Sequence, residues 1–316
     1  MWGRLHDAYR GYEGAEQFVV IAPGTSAAGI RRVLVDAGII RDEVTFGAAL
    51  WWTGRVRALQ AGEYRFDRPL AAVDVVERLA RGDVYTRRLT FPEGLTIPEM
   101  AAIYESREFG AAARFIEAAT NPSLIRAVDP QAVDLEGYLF PETYTLPRAF
   151  PASRLVAMMV DRFLETYTDQ WRRAAEEQGL TVHQVVTLAS LVEKETGMPE
   201  ERPMVAAVYR NRLKIGMRLQ ADPTVVYALR QAGRYTGNIR RDDLALDSPY
   251  NTYRYAGLPP GPIAAPGAAS LEAVLMSADV SYLYFVSRNN GSHAFARTLA
   301  EHNRNVREFQ IVYFRR

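Results

Sequence analysis

The order of apolar segments near the beginning of the chain constrains the fold more than any other feature. Residues 18–40 read FVVIAPGTSAAGIRRVLVDAGII, which predicts a strand, a Pro-Gly turn and a helix capped by Ser26 or Thr25. A second predicted helix ends at Gly54, and residues 59–66 predict another strand. This strand-helix-helix-strand order differs from the regular alternation of a parallel sheet, so it predicts a compact α+β module.

The rest of the chain also mixes helices and strands without regular alternation. A strand–Pro–Gly–helix junction returns in residues 88–100, RLTFPEGLTIPEM, and either an internal duplication or a common type of junction accounts for it. Residues 282–288 predict a strand, and residues 248–267, rich in Gly and Pro, predict a long irregular segment. Further helices are predicted at residues 111–120, 153–178, 181–195, 203–213 and 295–314. The whole chain is therefore predicted to be α+β.

Composition and charge exclude several functional classes. The 38 basic and 37 acidic side chains give a net charge of +1, so no long-range field should attract nucleic acid or an anionic membrane. The chain has no cysteine, which excludes disulfides and thiol nucleophiles. It also has no run of about 18 apolar residues that could span a bilayer. Residues 1–16 read as a polar aromatic leader and could be what remains after a membrane anchor is removed.

The predicted helix at residues 181–195 carries the strongest catalytic candidate. At 100° per residue, Glu193 falls beside Val182 and Val186 on the apolar arc, and Glu195 lies at the edge of that arc. Burial disfavours the charged form of a carboxyl group, and a general acid must hold its proton near neutral pH. The alternative is a frayed helix end with both glutamates in water. The polar side chains expected on the opposite, wet face are His183, Thr187, Ser190 and Lys194.

Aromatic, amide and carboxyl side chains cluster in three motifs outside this helix. Tyrosine rings can cover the flat faces of sugars, and amides can bind sugar hydroxyls, so these motifs suggest a carbohydrate groove. Ordinary packing of tyrosine-rich loops is the alternative. The candidates for sugar contacts are Tyr138, Glu142, Gln220, Asp222, Tyr250, Asn251, Thr252 and Tyr253.

Motifs for metals, cofactors and activated nucleophiles are missing from the sequence. The four histidines have no HExxH spacing, and no G-x-S-x-G, P-loop or G-x-G-x-x-G motif occurs. We therefore predict neither a metal site nor a cofactor.

Six motifs together resemble the endolytic murein transglycosylase (YceG-like) family of bacteria. In chain order they are EGYLFPETY, LASLVEKET, YRNRLKIGMRLQADPTVVYAL, SPYNTY, GLPPGPIAAPG and YLYFV followed by HAFARTLAEHN. The resemblance runs from about Phe18 to near the C-terminus. One departure is Glu142, where members of the family often carry aspartate.

The resemblance implies a division of the chain and a role for each part. It implies a leader at residues 1–16, a LysM-like subdomain at 17–88 and a catalytic domain at 89–316. The first glutamate of the EKET motif, Glu193, would be the catalytic acid. We predict Glu195 to be a helper or a helix-end residue rather than the acid, and we place it with Ser190 among the substrate-binding residues. The resemblance also implies a single N-terminal helix in the bacterial inner membrane, with the catalytic domain on the periplasmic side.

The implied reaction cleaves the bond between N-acetylmuramic acid and N-acetylglucosamine in peptidoglycan strands. The muramyl 6-hydroxyl would attack C1, and the cleaved strand would carry a 1,6-anhydro end. Such cleavage would terminate nascent strands. Glycan strands are the expected partner, peptidoglycan synthases are a further class of partner, and a monomer is expected. One rival is a hydrolytic muramidase with Glu142 or Asp222 as its second carboxylate. The other is a scaffold that binds peptidoglycan without cleaving it.

Overall fold

The computed structural model describes residues 2–148 and 150–312 and confirms the α+β class. The chain divides into two compact units. The first contains Met1–Leu89 and Tyr144–Phe150, and the second contains Thr90–Thr143 and Pro151–Arg316. The return of the chain to the first unit at Tyr144–Phe150 was not predicted from the sequence.

The first unit contains the predicted strand-helix-helix-strand order. Strands β1 and β2 pair antiparallel, with Gln17 opposite Phe66 and Ile21 opposite Gly62. The leader is part of this unit, because Leu5 is buried in its core. The elements are α1 (Trp2–His6), β1 (Gln17–Ile21), α2 (Ala27–Asp36), α3 (Glu43–Thr53), β2 (Gly62–Phe66) and α4 (Ala72–Arg81).

Local capping explains where the helices of this unit begin and end. The Ser26 hydroxyl accepts a hydrogen bond from the Gly29 amide at 3.2 Å, whereas Thr25 donates to the Ala22 carbonyl, so Ser26 is the cap of α2. Gly54 ends α3 with a φ of 68°, a left-handed conformation that suits glycine.

Two short strands, β3 (Thr86–Thr90) and β4 (Thr143–Pro147), pair with each other, and most of each strand belongs to the first unit. The second unit is mainly helical, with one antiparallel hairpin. Its elements are α5 (Ile97–Ser106), α6 (Ala112–Ala119), α7 (Ala152–Thr166), α8 (Asp169–Glu177), α9 (Val182–Glu195), α10 (Arg202–Lys214), α11 (Asp222–Gln231), α12 (Ala268–Leu275), β5 (Tyr284–Ser287), β6 (His293–Ala296) and α13 (Leu299–Val306).

Two predicted helices differ from those observed. The helix predicted at 153–178 is two helices, α7 and α8. The Thr168 hydroxyl accepts a hydrogen bond from the Trp171 amide and so caps the start of α8. The closing helix predicted at 295–314 begins only at Leu299, because residues 293–296 pair with β5. Its last two predicted residues lie outside the described part of the chain. Helices α11 and α12 were not predicted.

Helix α9 lies at the centre of the second unit. It packs against α8, α10, α11 and α12, and every residue from Val185 to Val192 is buried. The predicted wet face is therefore wrong at Thr187 and Ser190, since neighbouring helices surround α9 along this stretch. The buried Ser190 hydroxyl donates to the Thr187 carbonyl at 2.7 Å and accepts from the Ile263 amide at 3.0 Å. Its hydrogen bonds are internal, which does not favour a substrate contact.

Among the helices in residues 2–148 and 150–312, none has both the length and the apolar character needed to cross a bilayer.

Candidate active site

Two loops hold the C-terminal end of α9. The first is the Pro-Glu-Gly turn after β3, and the second is the end of the irregular segment at 248–267. The Gly94 amide donates to the Ala265 carbonyl at 2.8 Å, which joins the two loops. The Lys194 ammonium donates to the Gly94 carbonyl at 3.0 Å. Gly94 has a φ of 75°, a left-handed conformation that favours glycine at this position of the turn.

The Glu193 side chain is buried, as its place on the apolar arc predicts, and is only 7% exposed. Its Oε2 accepts a hydrogen bond from the Gly267 amide at 3.0 Å, and its Oε1 lies 3.6 Å from Arg202 Nη2. The same Arg202 nitrogen lies 3.7 Å from Glu93 Oε2. Burial and the neighbouring Glu193 raise the pKa of Glu93. Both oxygens of Glu193 therefore have partners that fasten the end of α9.

The Glu195 side chain, two residues further along α9, lies in a different environment. It is part of the wall of a cavity of about 360 Å³, and Tyr209 donates a hydrogen bond of 2.7 Å to its Oε1. Burial raises the pKa of Glu195 to about 7, with a further upward contribution from the charge of Asp222. Tyr209, His293 and Arg212 act in the opposite direction. A carboxyl group with this pKa can both donate and accept a proton near neutral pH.

The cavity beside Glu195 collects polar groups from three helices. Asp222 and Arg230 come from α11, and Thr96 comes from the cap of α5. Asp222 Oδ1 accepts a hydrogen bond of 2.5 Å from the Tyr253 hydroxyl. The lining includes Thr96, Lys194, Glu195, Asp222, Tyr227, Arg230, Tyr235 and Ile263. Of the predicted site residues, Glu195 and Asp222 line this cavity, and Tyr253 contacts it through Asp222.

Gln220 and Tyr250 lie next to this group of residues. Gln220 is exposed and has a φ of 50°, a left-handed backbone that is unusual for a residue with a side chain. The main-chain amide of Gln220 donates a hydrogen bond of 3.2 Å to the Thr252 carbonyl. The Tyr250 ring packs on Tyr227, with 4.9 Å between the ring centroids. Both residues remain candidates for sugar contacts.

Three other predicted contact residues are buried and hydrogen-bonded inside the protein. Tyr138 donates to the buried Asp129, and the Thr252 hydroxyl accepts from the Ala221 amide at 3.0 Å. Asn251 is fully buried, and its amide group donates to two main-chain carbonyls. These side chains hold loops in place, so the geometry does not favour the predicted contact with a sugar.

Glu142 is half-exposed and forms an ion pair of 2.6 Å with Arg162 of α7. This partner fixes one carboxylate oxygen, and Arg162 also contacts Glu165 on the same helix. The geometry therefore supports a surface ion-pair network at Glu142, and such networks contribute little to stability.

The environment of Asn251 leads to a prediction about stability. Its Nδ2 donates to the carbonyls of Leu244 and Leu246 at 3.0 and 2.8 Å, and its Oδ1 accepts from the Tyr253 amide at 3.0 Å. Asn251→Ala removes three hydrogen bonds from a fully buried side chain, and of the two carbonyls only that of Leu246 keeps another bond, from the Ser248 amide, so we expect the free energy of unfolding to fall by about 2–4 kcal/mol. Chemical denaturation measures the loss, and Asn238→Ala, at an exposed asparagine, is the control. Unchanged stability with lost turnover would restore the predicted sugar contact.

Several residues of the site were not predicted from the sequence. Tyr209 lies on α10, whose pattern reads as a packing helix, and Arg202 begins that helix. Glu93 belongs to the second strand–Pro–Gly–helix junction, which the sequence marked only as a repeated local structure. The position of that junction before a capped helix was the available signal. No group of three or more acidic or histidine side chains suited to a metal occurs within the described residues.

Comparison with known proteins assigns the chain to a family. A model of the YceG-like family matches residues 19–308. The chain belongs to the YceG-like family. An endolytic murein transglycosylase from Bacillus subtilis strain 168 is 31% identical over 299 residues, which covers 90% of this chain and 82% of the relative.

Two further similarities extend over nearly the whole of this YceG-like chain. An endolytic murein transglycosylase from Streptococcus pneumoniae is 28% identical over 323 residues, and the match covers 92% of this chain and 58% of that relative. A crystal structure of a YceG-like protein from Listeria monocytogenes is 32% identical, with a TM-score of 0.63. That comparison covers 92% of this chain and 98% of the other.

Proposed function

We propose that this YceG-like protein is a lytic transglycosylase that cleaves the glycan strands of peptidoglycan. The observation that carries the proposal is the Glu195 carboxyl, whose pKa burial raises to about 7 in the wall of a polar cavity. The names of the relatives from Bacillus subtilis and Streptococcus pneumoniae, endolytic murein transglycosylase, supply the substrate class. The finer proposal is cleavage between N-acetylmuramic acid and N-acetylglucosamine with a 1,6-anhydro end, which terminates nascent strands.

The geometry favours Glu195 over Glu193 as the acid and base. The family resemblance predicts Glu193 as the catalytic acid, and this stays a prediction. The two carboxylate oxygens of Glu193 face the Gly267 amide and Arg202. Glu195 has one oxygen held by Tyr209 and lies in the cavity wall. A group that must exchange protons with a substrate needs access to it, and only Glu195 of the two is a lining residue of this cavity.

One carboxyl group can perform both steps of the proposed reaction. The protonated Glu195 donates its proton to the glycosidic oxygen as the bond from C1 of muramic acid breaks. The resulting carboxylate accepts the proton of the muramyl 6-hydroxyl while that oxygen bonds to C1. The proton count on Glu195 is restored, the ring closes as a 1,6-anhydro sugar, and no water is consumed. This route needs no second catalytic carboxylate.

A hydrolytic muramidase is the second candidate, because Asp222 lines the same cavity as Glu195. In that reaction the second carboxylate would activate a water or form a covalent intermediate. The hydrogen bond from Tyr253 to Asp222 favours a binding role for Asp222. The two reactions differ in whether an oxygen atom from water enters the product.

A direct assay separates an enzyme from a scaffold. Purified peptidoglycan strands are incubated with the protein, and strand length is followed by chromatography. The proposed activity shortens long strands by cuts within the chain, because the relatives are named endolytic. Strands that bind the protein but keep their length would support the scaffold and contradict the proposal.

The hydrogen bond from Tyr209 leads to a prediction about pH dependence. A bond donated to the Glu195 carboxylate stabilises the charged form and lowers its pKa, so Tyr209→Phe should raise that pKa. The protonated form of Glu195 then persists to higher pH. The basic limb of the pH–rate profile should therefore move to higher pH by about 0.4–1.1 pH units, which corresponds to the free energy of one net hydrogen bond. Tyr255→Phe is the control, because Tyr255 is exposed and its hydroxyl donates a hydrogen bond to Asp247. A lower rate with an unmoved profile would indicate a purely structural role.

We also propose that the first unit binds glycan strands, as the predicted LysM-like subdomain at 17–88 implies. Its helix α3 exposes two adjacent tryptophans, Trp51 at 79% and Trp52 at 50%, whose rings could stack on sugar faces. Replacing both with alanine should weaken sedimentation with peptidoglycan sacculi by roughly tenfold, if each ring contributes about 0.5–1.5 kcal/mol. Replacing the exposed Val44 and Val56 of the same unit is the control. Unchanged sedimentation of the tryptophan variant would leave this unit a structural role.

The proposed substrate also suggests where the protein acts. Since peptidoglycan is assembled outside the cytoplasmic membrane, we propose an extracytoplasmic location. A single-pass inner-membrane anchor, contact with peptidoglycan synthases and a monomeric state remain predictions from the family resemblance. Protease accessibility in spheroplasts tests the location, and full protection of the protein would contradict it.

A further inference from the structure

A second cavity, of about 490 Å³, adjoins the cavity at Glu195. The two share three lining residues, Thr96, Tyr227 and Arg230. A ligand held at Glu195 can therefore extend a branch past these side chains without leaving the surface of the second unit. We call this second space the branch cavity.

One side of the branch cavity is apolar and carries little charge. Ile97, Pro98 and Ile116 line it, together with Glu136, which is only 5% exposed. Both oxygens of Glu136 lie 3.2 Å from the Ile97 amide, which donates to them. Burial raises the pKa of Glu136 to about 8, so this carboxyl is mostly neutral at pH 7.

The remainder of the branch cavity is polar and can hydrogen-bond a ligand. Glu99 forms an ion pair with Arg230, and the same Glu99 accepts from the Thr96 amide at 2.9 Å. Asp134 and Gln231 complete this side. Asp134 Oδ1 already accepts from the Glu136 amide at 2.9 Å, which fixes the direction of its carboxylate. The lining thus combines apolar surface with both charge signs and an amide group.

This combination suits a short peptide better than a sugar or an acyl group. A cavity of this volume is within the range of about 300–1,000 Å³ that holds a ligand of drug size. An N-acetyl group, present on every sugar of the strand, is far smaller than this space. In peptidoglycan, the lactyl group of muramic acid carries a peptide stem with methyl groups, amides and charged ends.

Resting on the proposed function, we propose that the branch cavity binds the peptide stem of the muramyl residue held at Glu195. The apolar side would receive alanine methyl groups, and the Glu99–Arg230 pair with Asp134 would bind the polar and charged groups of the stem. The protein would then prefer strands that carry stems over strands from which an amidase has removed them.

The test compares cleavage rates on stem-bearing strands and on the same strands after amidase treatment. The wild-type protein should cleave the stem-bearing strands about tenfold faster, a ratio that corresponds to about 1.4 kcal/mol. Ile116→Trp fills the branch cavity, and the ratio should fall to about one. Met158→Trp, at a partly exposed methionine of α7, is the control and should keep the wild-type ratio. If Ile116→Trp does not fold, Gln231→Trp at the exposed end of α11 fills the same space.

Each outcome decides a separate point. Equal wild-type rates on the two substrates would overturn the stem proposal while leaving the proposed activity intact. A filled variant that keeps the tenfold preference would also overturn it. Wild-type protein that cleaves neither substrate would overturn the proposed function instead.

Discussion

The Glu195→Gln variant is expected to fold normally, bind peptidoglycan strands and lose about 10²–10⁴-fold in cleavage rate. The amide keeps the shape of the carboxyl group and can still accept the hydrogen bond from Tyr209. It has no acidic proton for the leaving oxygen, and it cannot take the proton of the muramyl 6-hydroxyl. Because one group serves both steps in the proposed reaction, the loss should lie toward the upper end of that range. Strand cleavage and sedimentation with sacculi measure the two properties.

Glu193→Gln is the matched comparison, two residues earlier on the same helix. Its side-chain oxygen can still accept from the Gly267 amide, but the ion pair with Arg202 is lost. We expect a fall in thermal stability with more of the activity retained than in Glu195→Gln. If Glu193→Gln is inactive at unchanged stability while Glu195→Gln cleaves normally, the assignment from the family motif is correct and the geometric one is wrong.

Gly137→Ala is expected to lower the free energy of unfolding by about 3 kcal/mol or more. Gly137 has a φ of 85°, which residues with side chains rarely adopt. An added Cβ would lie 2.5 Å from Pro262 Cβ and 2.9 Å from Val186 Cγ1, both closer than van der Waals contact allows. Val186 belongs to the buried part of α9, so relief of the overlap must move either this helix or the loop before Gly267.

Gly257→Ala separates the two causes of that loss. Gly257 also has a positive φ, 91°, but no atom lies within 4 Å of the position of an added Cβ. Backbone strain alone should cost about 1–2 kcal/mol there. Thermal or chemical denaturation of the two variants measures the difference. Equal losses would contradict the tight packing of Gly137 against α9.

The sequence predicted those elements whose signals are local. The cap of α2 at Ser26, one of two predicted candidates, the end of α3 at Gly54 and the start of the helix predicted at 181–195 all depend on hydrogen bonds within a few residues, and the structure has each of them. The break at Thr168 was missed because the apolar period continues across it, and a single hydroxyl decides where α8 begins.

Burial was harder to predict than secondary structure. A helical wheel assumes one apolar side and one wet side, whereas α9 is enclosed by four other helices. Ser190 and Thr187 are therefore buried, and hydrogen bonds across the chain, such as the one from Ile263, satisfy the Ser190 hydroxyl. The same limit applies to Asn251, whose polar type suggested a ligand and whose partners are main-chain carbonyls.

The choice between Glu193 and Glu195 also depended on distant residues. Both glutamates end the same helix, and the wheel placed Glu193 closer to the apolar arc. The partners that distinguish them, Arg202 and Gly267 for one and Tyr209 for the other, come from other parts of the chain. No spacing within the EKET motif carries that information.

The most direct test of the proposed reaction is digestion of peptidoglycan strands in water enriched in oxygen-18, followed by mass spectrometry of the new muramyl ends. A transglycosylase that uses Glu195 and the muramyl 6-hydroxyl consumes no water. Its products should therefore be unlabelled and one water lighter than reducing ends. Glu195→Gln should make almost none of them. Reducing ends that carry one oxygen-18 would show hydrolysis, with Asp222 as the second carboxylate in the cavity lining, and would contradict the proposed reaction.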